Sequence, residues 1–180
     1  HPTSKIYKAK DVPIPGFLHD DPTIRKELAL YYSSVRRADD CVGAIMKALD
    51  QSGLVNSTAV FFLSDHGMPL PFAKTQLYHH STHTPLIVSW PGITKSGSIN
   101  NSHMVSAIDL LPTFLEIAKI KEPKGLQGRT FYPLLKGNKQ VERDIIFKEY
   151  NENAGGIRNP MRGVQTHQYL YLFNPWSNGK

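Results

Sequence analysis

The chain has 180 residues, 40% hydrophobic and 20% charged, a composition that excludes disorder and allows one ordinary domain with a core. Its formal charge of +6 suits an anionic partner such as a sulfated or phosphorylated polymer, and equally suits plain solubility. The basic residues are scattered in ones and twos without interleaved aromatics, which argues against nucleic acid, and no apolar run approaches the roughly 20 residues that span a bilayer.

The opening HPTSKIYKAKDVPIP has no signal-peptide pattern and reads as the interior of a longer protein. Residues 1–21 are Pro-rich and irregular, with extended steps at Val12-Pro13 and Ile14-Pro15. Asp21-Pro22 then reads as an N-cap followed by Pro at the first helical position. Ile24, Leu28, Tyr31, Val35, Ala38, Val42, Ile45 and Leu49 recur at helical steps, predicting a long amphipathic helix closed by Gly53 in the left-handed region. At ~1.5 Å per residue such a helix is ~45 Å long. Cys41 lies within it and reads as a small buried hydrophobe; a single cysteine excludes an internal disulfide framework.

Thr58–Ser64 (TAVFFLS) is a continuous β-branched and aromatic run. It predicts a strand buried on both faces, as in a parallel sheet. Pro85–Trp90 (PLIVSW) predicts a second, stopped by Pro91-Gly92. Residues 107–118 predict a helix with Asp109 as N-cap and Pro112 in the first turn. Residues 130–136 predict a short helical turn. Asp144–Tyr150 and Gly163–Phe173 predict strands joined by the loop NENAGGIRNP. Alternating helix and buried strand to about residue 120 indicates α/β architecture, followed by a more antiparallel tail.

The chemistry gathers where the first apolar run ends. Asp65 and His66 follow FFLS directly, at the carboxyl end of a strand, where open α/β sheets bind ligands. A carboxylate and an imidazole are both metal ligands, although a hard cation such as Ca²⁺ wants 6–8 oxygen donors and needs others from elsewhere. A strand-end cap beside a hydrogen-bonded histidine is the plainer alternative. Lys74 adds a cation on the same loop. An ammonium and a metal flanking one pocket would seat a tetrahedral oxyanion, whereas most lysines are simply solvated. His79 and His83 have the i, i+4 spacing of zinc ligands on a helix. Ser81, Thr82 and Pro85 instead indicate a non-helical loop lining the pocket.

The order SDHG, Lys74, LY, PLIVSWPG, SAIDLLPT and QGRTFYPLLKG resembles the sulfatase family of the alkaline phosphatase superfamily. The likeness runs from about Val12 to the end, and RRADDCVGAIMKALDQSGLVNSTAVFFLSDHG is similar to the family's long helix leading into its metal-binding strand. DHGMPLPFAKTQLY and NPMRGVQTHQYLYLFN resemble most the heparan N-sulfatase (sulfamidase) branch.

The resemblance implies a partial alkaline-phosphatase-like α/β sandwich: a mostly parallel sheet with flanking helices, and the start of a small antiparallel C-terminal subdomain. It divides the chain into 1–140, the C-terminal half of the catalytic core, and 141–180, the beginning of that subdomain. It assigns Asp65 and His66 as metal ligands and Lys74 as the residue that grips sulfate. The implied metal is Ca²⁺, with Mg²⁺ or Mn²⁺ open because imidazole is softer than an amide oxygen. His79, His80, His83 and Glu149 would meet substrate, while Asp109 and Arg129 read as helix cap and structural ion-pair partner.

The family's nucleophile is a formylglycine made from a C/S-x-P/A-x-R signature. That signature, the early Asp pair and the H-x-P-H segment are all absent from these residues, and Cys41 has no Arg four positions on. The expected function is therefore part of a sulfatase acting on sulfate esters or N-sulfate of a glycan, heparan-type glucosamine N-sulfate being favoured. The nucleophile would lie outside these 180 residues, which would be inactive in isolation. The alternatives are a phosphoryl or phosphonate hydrolase of the same superfamily and a non-catalytic structural fragment. The resemblance also implies a periplasmic, secreted or lysosomal location. Exposed strand edges in such a piece would favour self-association.

Overall fold

The computed structural model describes residues 2–141, 143–153 and 155–176. Its spine is α1, Pro22–Gln51. Asp21 caps it, its side chain accepting the Thr23 N–H at 2.7 Å, and Pro22 sits where no N–H is required. Gly53 follows the C-terminus at φ 71°, the left-handed turn read from the sequence. The N-terminal arm lies along the first half of this helix. Val12, Leu28 and Ala29 form a buried cluster, with Ile14, Leu18, Ile24 and Tyr32 packed around it. Polar ties hold the arm: the Ser4 hydroxyl donates to Asp40 at 2.7 Å, and Arg25 pairs with Asp20 at 2.6 Å.

β1 (Val60–Leu63) and β2 (Leu86–Ser89) pair with each other, Val60 opposite Ser89 and Leu63 opposite Leu86. They run antiparallel, and Phe62, Leu63, Leu86 and Ile87 are exposed. The expectation of strands buried on both faces in a parallel pairing is corrected here. A continuous apolar run says that a strand is built to be covered; it does not say which neighbour pairs with it or in which direction. One face is partly covered: Phe61 meets Phe114 of α3 (Leu110–Ile117) edge-on, with ring centroids 5.0 Å apart. Between β1 and β2, a short helix α2 occupies His79–Thr82. Among the described residues no helix is long and apolar enough to cross a membrane.

A buried polar hub organises the next segment. Asp109 is 2% exposed. It stands at the N-cap position of α3, as expected, but its side chain bonds none of that helix's N–H groups; it is instead the N3 residue of a capping box headed by Ser106, on the turn just before the helix. Its carboxylate accepts the Ser106 N–H at 2.8 Å, the Arg129 N–H at 2.8 Å, and a bidentate pair from the Arg143 guanidinium at 2.7 Å each. Arg129 was the expected ion-pair partner. It contributes only its backbone, because Gly128 presses its Cα against the Ile108 carbonyl, 2.0 Å from where a Cβ would stand. Thr113, fully buried, accepts the Phe131 N–H at 3.0 Å and so fixes the start of α4 (Tyr132–Leu135).

The tail is a three-stranded antiparallel sheet in the order β3 (Ile146–Glu152), β4 (Arg158–Gln165), β5 (Leu170–Phe173). The run expected as one strand over 163–173 is broken by a turn in which the Thr166 N–H donates to the Tyr169 carbonyl at 2.8 Å. β4 starts earlier than expected and includes Pro160. The missing N–H is tolerated there because the β3 pairing is irregular between Tyr150 and Glu152, and β5 pairs only from Arg162 onward.

Removing Arg143 would leave the Asp109 carboxylate buried without its countercharge. Arg143→Met should destabilise the protein by about 3–5 kcal/mol, read as a lowered urea midpoint at unchanged slope.

Candidate active site

The site begins where β1 stops. The Asp65 carboxylate accepts the His66 backbone N–H at 2.9 Å, a local turn that ends the strand and swings both side chains to one side. His66 Nδ1 lies 2.8 Å from the Gly67 carbonyl, which can only accept, so the proton sits on Nδ1. In the neutral ring Nε2 then carries the lone pair, and it faces Asp65 Oδ2 at 3.4 Å. Two electron-rich atoms turned toward each other across this gap are a suitable pair of donors for a cation.

Gly67 is required for close approach rather than for a turn in the left-handed region. A Cβ there would stand 2.0 Å from the His80 carbonyl oxygen and 2.6 Å from that of Ala73. Its N–H donates to the Ser81 carbonyl at 3.1 Å. The Asp-His turn therefore rests directly on the backbone of α2.

Lys74 rides on a loop held at its ends and bent in its middle. Ala73 and Leu77 are buried, at 1% and 4% exposure. Phe72 and Thr75 have φ of 64° and 60°, a conformation that costs a residue with a Cβ about 1–2 kcal/mol. The exposed ammonium of Lys74 stands between these two strained positions.

Asp65, His66 and Lys74 line one cleft of about 330 Å³. Thr82 of α2 and Glu149 and Glu152 of β3 form its other walls. Glu149 accepts from the Asn151 amide at 2.7 Å and lies 3.7 Å from the Arg162 guanidinium. Thr82 and Glu152 were not singled out from sequence. Glu152 belongs to the wall only because β3 ends at the cleft, and no local pattern marks that.

The three histidines occupy the one-turn helix α2 and its C-cap, where the sequence predicts a non-helical loop. The correction has a local cause: the Ser81 and His83 N–H groups close a turn onto the Tyr78 and His79 carbonyls, so Pro85 falls beyond the helix and does not break it. The residues of α2 that line the cleft are Ser81 and Thr82. His80 stacks on Phe17 at 4.1 Å between centroids, and His79 stacks on His83 at 4.6 Å. Partial burial, reinforced by neighbouring His83 and Lys148, holds His79 below the usual imidazole range.

Asp65 and His66 fit a divalent cation as part of a coordination sphere. Among the described residues no group of three or more acidic, histidine or cysteine side chains gathers to hold a metal. The two donors present thus need oxygen ligands beyond them.

The family model described as N-sulphoglucosamine sulphohydrolase, C-terminal, matches residues 65–175. That for type I phosphodiesterase / nucleotide pyrophosphatase matches residues 19–89. The human N-sulphoglucosamine sulphohydrolase is 32% identical over 96% of this chain and 36% of its own length. An ulvan-active sulfatase of Formosa agariphila is 31% identical over 91% of the chain and 35% of its own. A 2-O GAG sulfatase of known structure superposes with a TM-score of 0.76 at 24% identity, covering 87% of this chain and 35% of that one. The chain spans about a third of the length of these relatives, 35% and 36%. It has the fold implied for it, α/β and alkaline-phosphatase-like, and its strand pairs among the described residues are antiparallel. The cleft around Asp65 thus stands inside the matched segment, and this chain belongs to the sulfatase family, with residues 65–175 in its N-sulphoglucosamine sulphohydrolase C-terminal group.

Proposed function

We propose that the chain is part of a sulfatase that hydrolyses sulfate from a glycan, with the N-sulfate of glucosamine as the favoured linkage. In this reading residues 1–140 belong to the catalytic core and residues 141–180 begin the C-terminal subdomain. The observation that supports it most is the single cleft where Asp65, His66 and Lys74 meet the β3 wall. The likeness to the human sulphohydrolase supports the linkage.

Each side chain has a role that follows from its chemistry. Asp65 and His66 Nε2 would hold a divalent cation, Ca²⁺ or else Mg²⁺ or Mn²⁺. When bound, that cation supplies positive charge against the sulfate oxygens. Lys74 offers an exposed ammonium in the same cleft and would neutralise charge that grows on the transferred sulfuryl group. Glu149 offers acceptors to sugar hydroxyl or amine hydrogens, while His79, His80 and His83, which do not line the cleft, would meet substrate only where it extends past Thr82. The formylglycine nucleophile of the family would come from residues other than those of this chain. A sulfated-glycan substrate suits the net charge of +6 and a periplasmic, secreted or lysosomal setting. The two-stranded sheet β1–β2, with its exposed apolar residues, would favour self-association if left uncovered.

A phosphodiester or phosphonate hydrolase is the second reading, favoured by the phosphodiesterase match over residues 19–89. Turnover of paired aryl sulfate and aryl phosphate separates the two. The proposal expects the sulfate to react faster, and a preference for phosphate overturns it.

Two substitutions in the complete protein carrying this chain test the site. Asp65→Ala should abolish turnover together with loss of bound metal; near-normal activity at normal metal content would remove Asp65 from the ligand set. Gly67→Ala should cost about 1–3 kcal/mol through overpacking against the α2 backbone. It should also weaken metal binding in a titration, since the turn carrying both ligands must lift.

A further inference from the structure

On the inner face of the C-terminal sheet one side chain is out of place. Alternation along β3 puts Ile146, Lys148 and Tyr150 on that face. Opposite them on β4 stand Gln165, Gly163 and the buried Met161. Leu77, from the loop that carries Lys74, packs here: its Cδ1 is 3.5 Å from where a Gly163 Cβ would stand. The face is thus an apolar seat for the active-site loop, with a lysine in its middle.

The Lys148 ammonium is bound by neutral oxygens. It donates to Thr82 Oγ1 at 2.6 Å and to Gln165 Oε1 at 3.0 Å. The Gln165 amide is oriented for this, because its NH₂ donates to the Thr166 carbonyl at 2.7 Å and the Tyr169 carbonyl at 3.1 Å, leaving the oxygen toward Lys148. Thr82 passes its own proton to the Tyr78 carbonyl at 3.2 Å, and its neighbour Ser81 accepts the Gly67 N–H at 3.1 Å. A short chain of contacts therefore leads from β3 through α2 to the turn that bears Asp65 and His66. Burial lowers the Lys148 pKa, so stability supplies little reason for an ammonium here.

We propose that Lys148 is a positioning residue: it pins the C-terminal sheet to α2 at one register and so sets Glu149 and Glu152 at a fixed reach from Asp65, His66 and Lys74. Apolar packing of Leu77 on the sheet is non-directional and would tolerate sliding. Two charge-assisted hydrogen bonds to oriented acceptors do not. The register reaches the cleft directly, since Glu149 and Tyr150, the two residues that follow Lys148 along β3, both line it. The consequence for substrate rests on the sulfatase reading above. Lys148 governs how the glycan beyond the sulfuryl group is held, and leaves the sulfuryl end itself to Asp65, His66 and Lys74.

The test uses Lys148→Met, which keeps the stem and removes the donors, and Gln165→Met, which removes the other oriented acceptor at similar length and lies outside the cleft lining, both in the complete protein. With N-sulfated glucosamine, KM should rise about tenfold in each variant while kcat changes about twofold or less. A small aryl sulfate, which does not extend to the β3 wall, should keep its kcat/KM within about twofold. Lys148→Arg should restore part of the glucosamine KM. Equal losses on both substrates together with a lowered Tm would mark Lys148 as merely structural and overturn the proposal, as would no change on either. Amide hydrogen exchange reads the pinning independently of activity. The Ser81 and His83 amides of α2 should exchange about tenfold faster in Lys148→Met while Gly67, β4 and β5 keep their protection. Unchanged exchange overturns the positioning role even if the protein proves to act on phosphate, whereas faster exchange with no sulfatase activity overturns only the substrate reading.

Discussion

The candidate site depends on a contact that has no side chain in it. Gly67 lies against the backbone of α2 so closely that a single added carbon would stand 2.0 Å from a carbonyl oxygen. That closeness lets one peptide N–H, from Gly67 to Ser81, join the strand end to the helix that walls the cleft. A carboxylate and an imidazole on adjacent residues point opposite ways from an ideal strand. They converge here because the strand ends at Leu63 and the next four residues fold into a turn held by their own polar groups. The convergence of Asp65 and His66 is thus a property of backbone packing first and of side-chain identity second.

Lys74 is placed by a different economy. Its loop holds two non-glycine residues in the left-handed region, together costing about 2–4 kcal/mol. Full burial of Leu77 contributes about 1.5–3 kcal/mol, with a smaller share from Ala73. The two sides are comparable in size, so the loop keeps this shape because its ends are anchored and not because its own residues prefer it. An ammonium on such a loop is positioned by the core behind it, and that core is partly the inner face of the C-terminal sheet. The loop that carries Lys74 and the C-terminal sheet are therefore in contact through Leu77 and Gly163.

What the sequence disclosed follows from how local each feature is. The long helix was legible in full because its cap, its periodicity and its closing glycine all lie within its own residues. The Asp65-His66 turn was legible because apolar strand and polar turn abut. Lys74 was legible as chemistry, but the strain around it was not, since Phe72 and Thr75 carry no mark of positive φ. Strand direction failed, because VFFL reads the same whichever neighbour it meets. The partner of Asp109 failed for the same reason at longer range: Arg129 and Arg143 are equally basic in sequence, and only the close approach of Gly128 decides that one gives its backbone and the other its side chain. The role of Lys148 spans 66 positions to Thr82, and no periodicity connects them.

The site's electrostatics are divided between elements that fold by different means. Positive charge comes from Lys74 on a loop. Negative charge comes from Asp65 on a strand end and from Glu149 and Glu152 on an antiparallel sheet whose register is set by hydrogen bonds. A sulfated aminosugar has the complementary division, an anionic group at one end and hydroxyl and amine hydrogens at the other. Two protein donors are far fewer than the 6–8 oxygens of a hard cation, so this part of the fold alone would bind such an ion weakly. It would still carry the walls that measure the sugar. Under the proposed reading, affinity for the cation would be completed by other ligands, while discrimination among glycans would rest on the spacing between the Asp65 turn and β3.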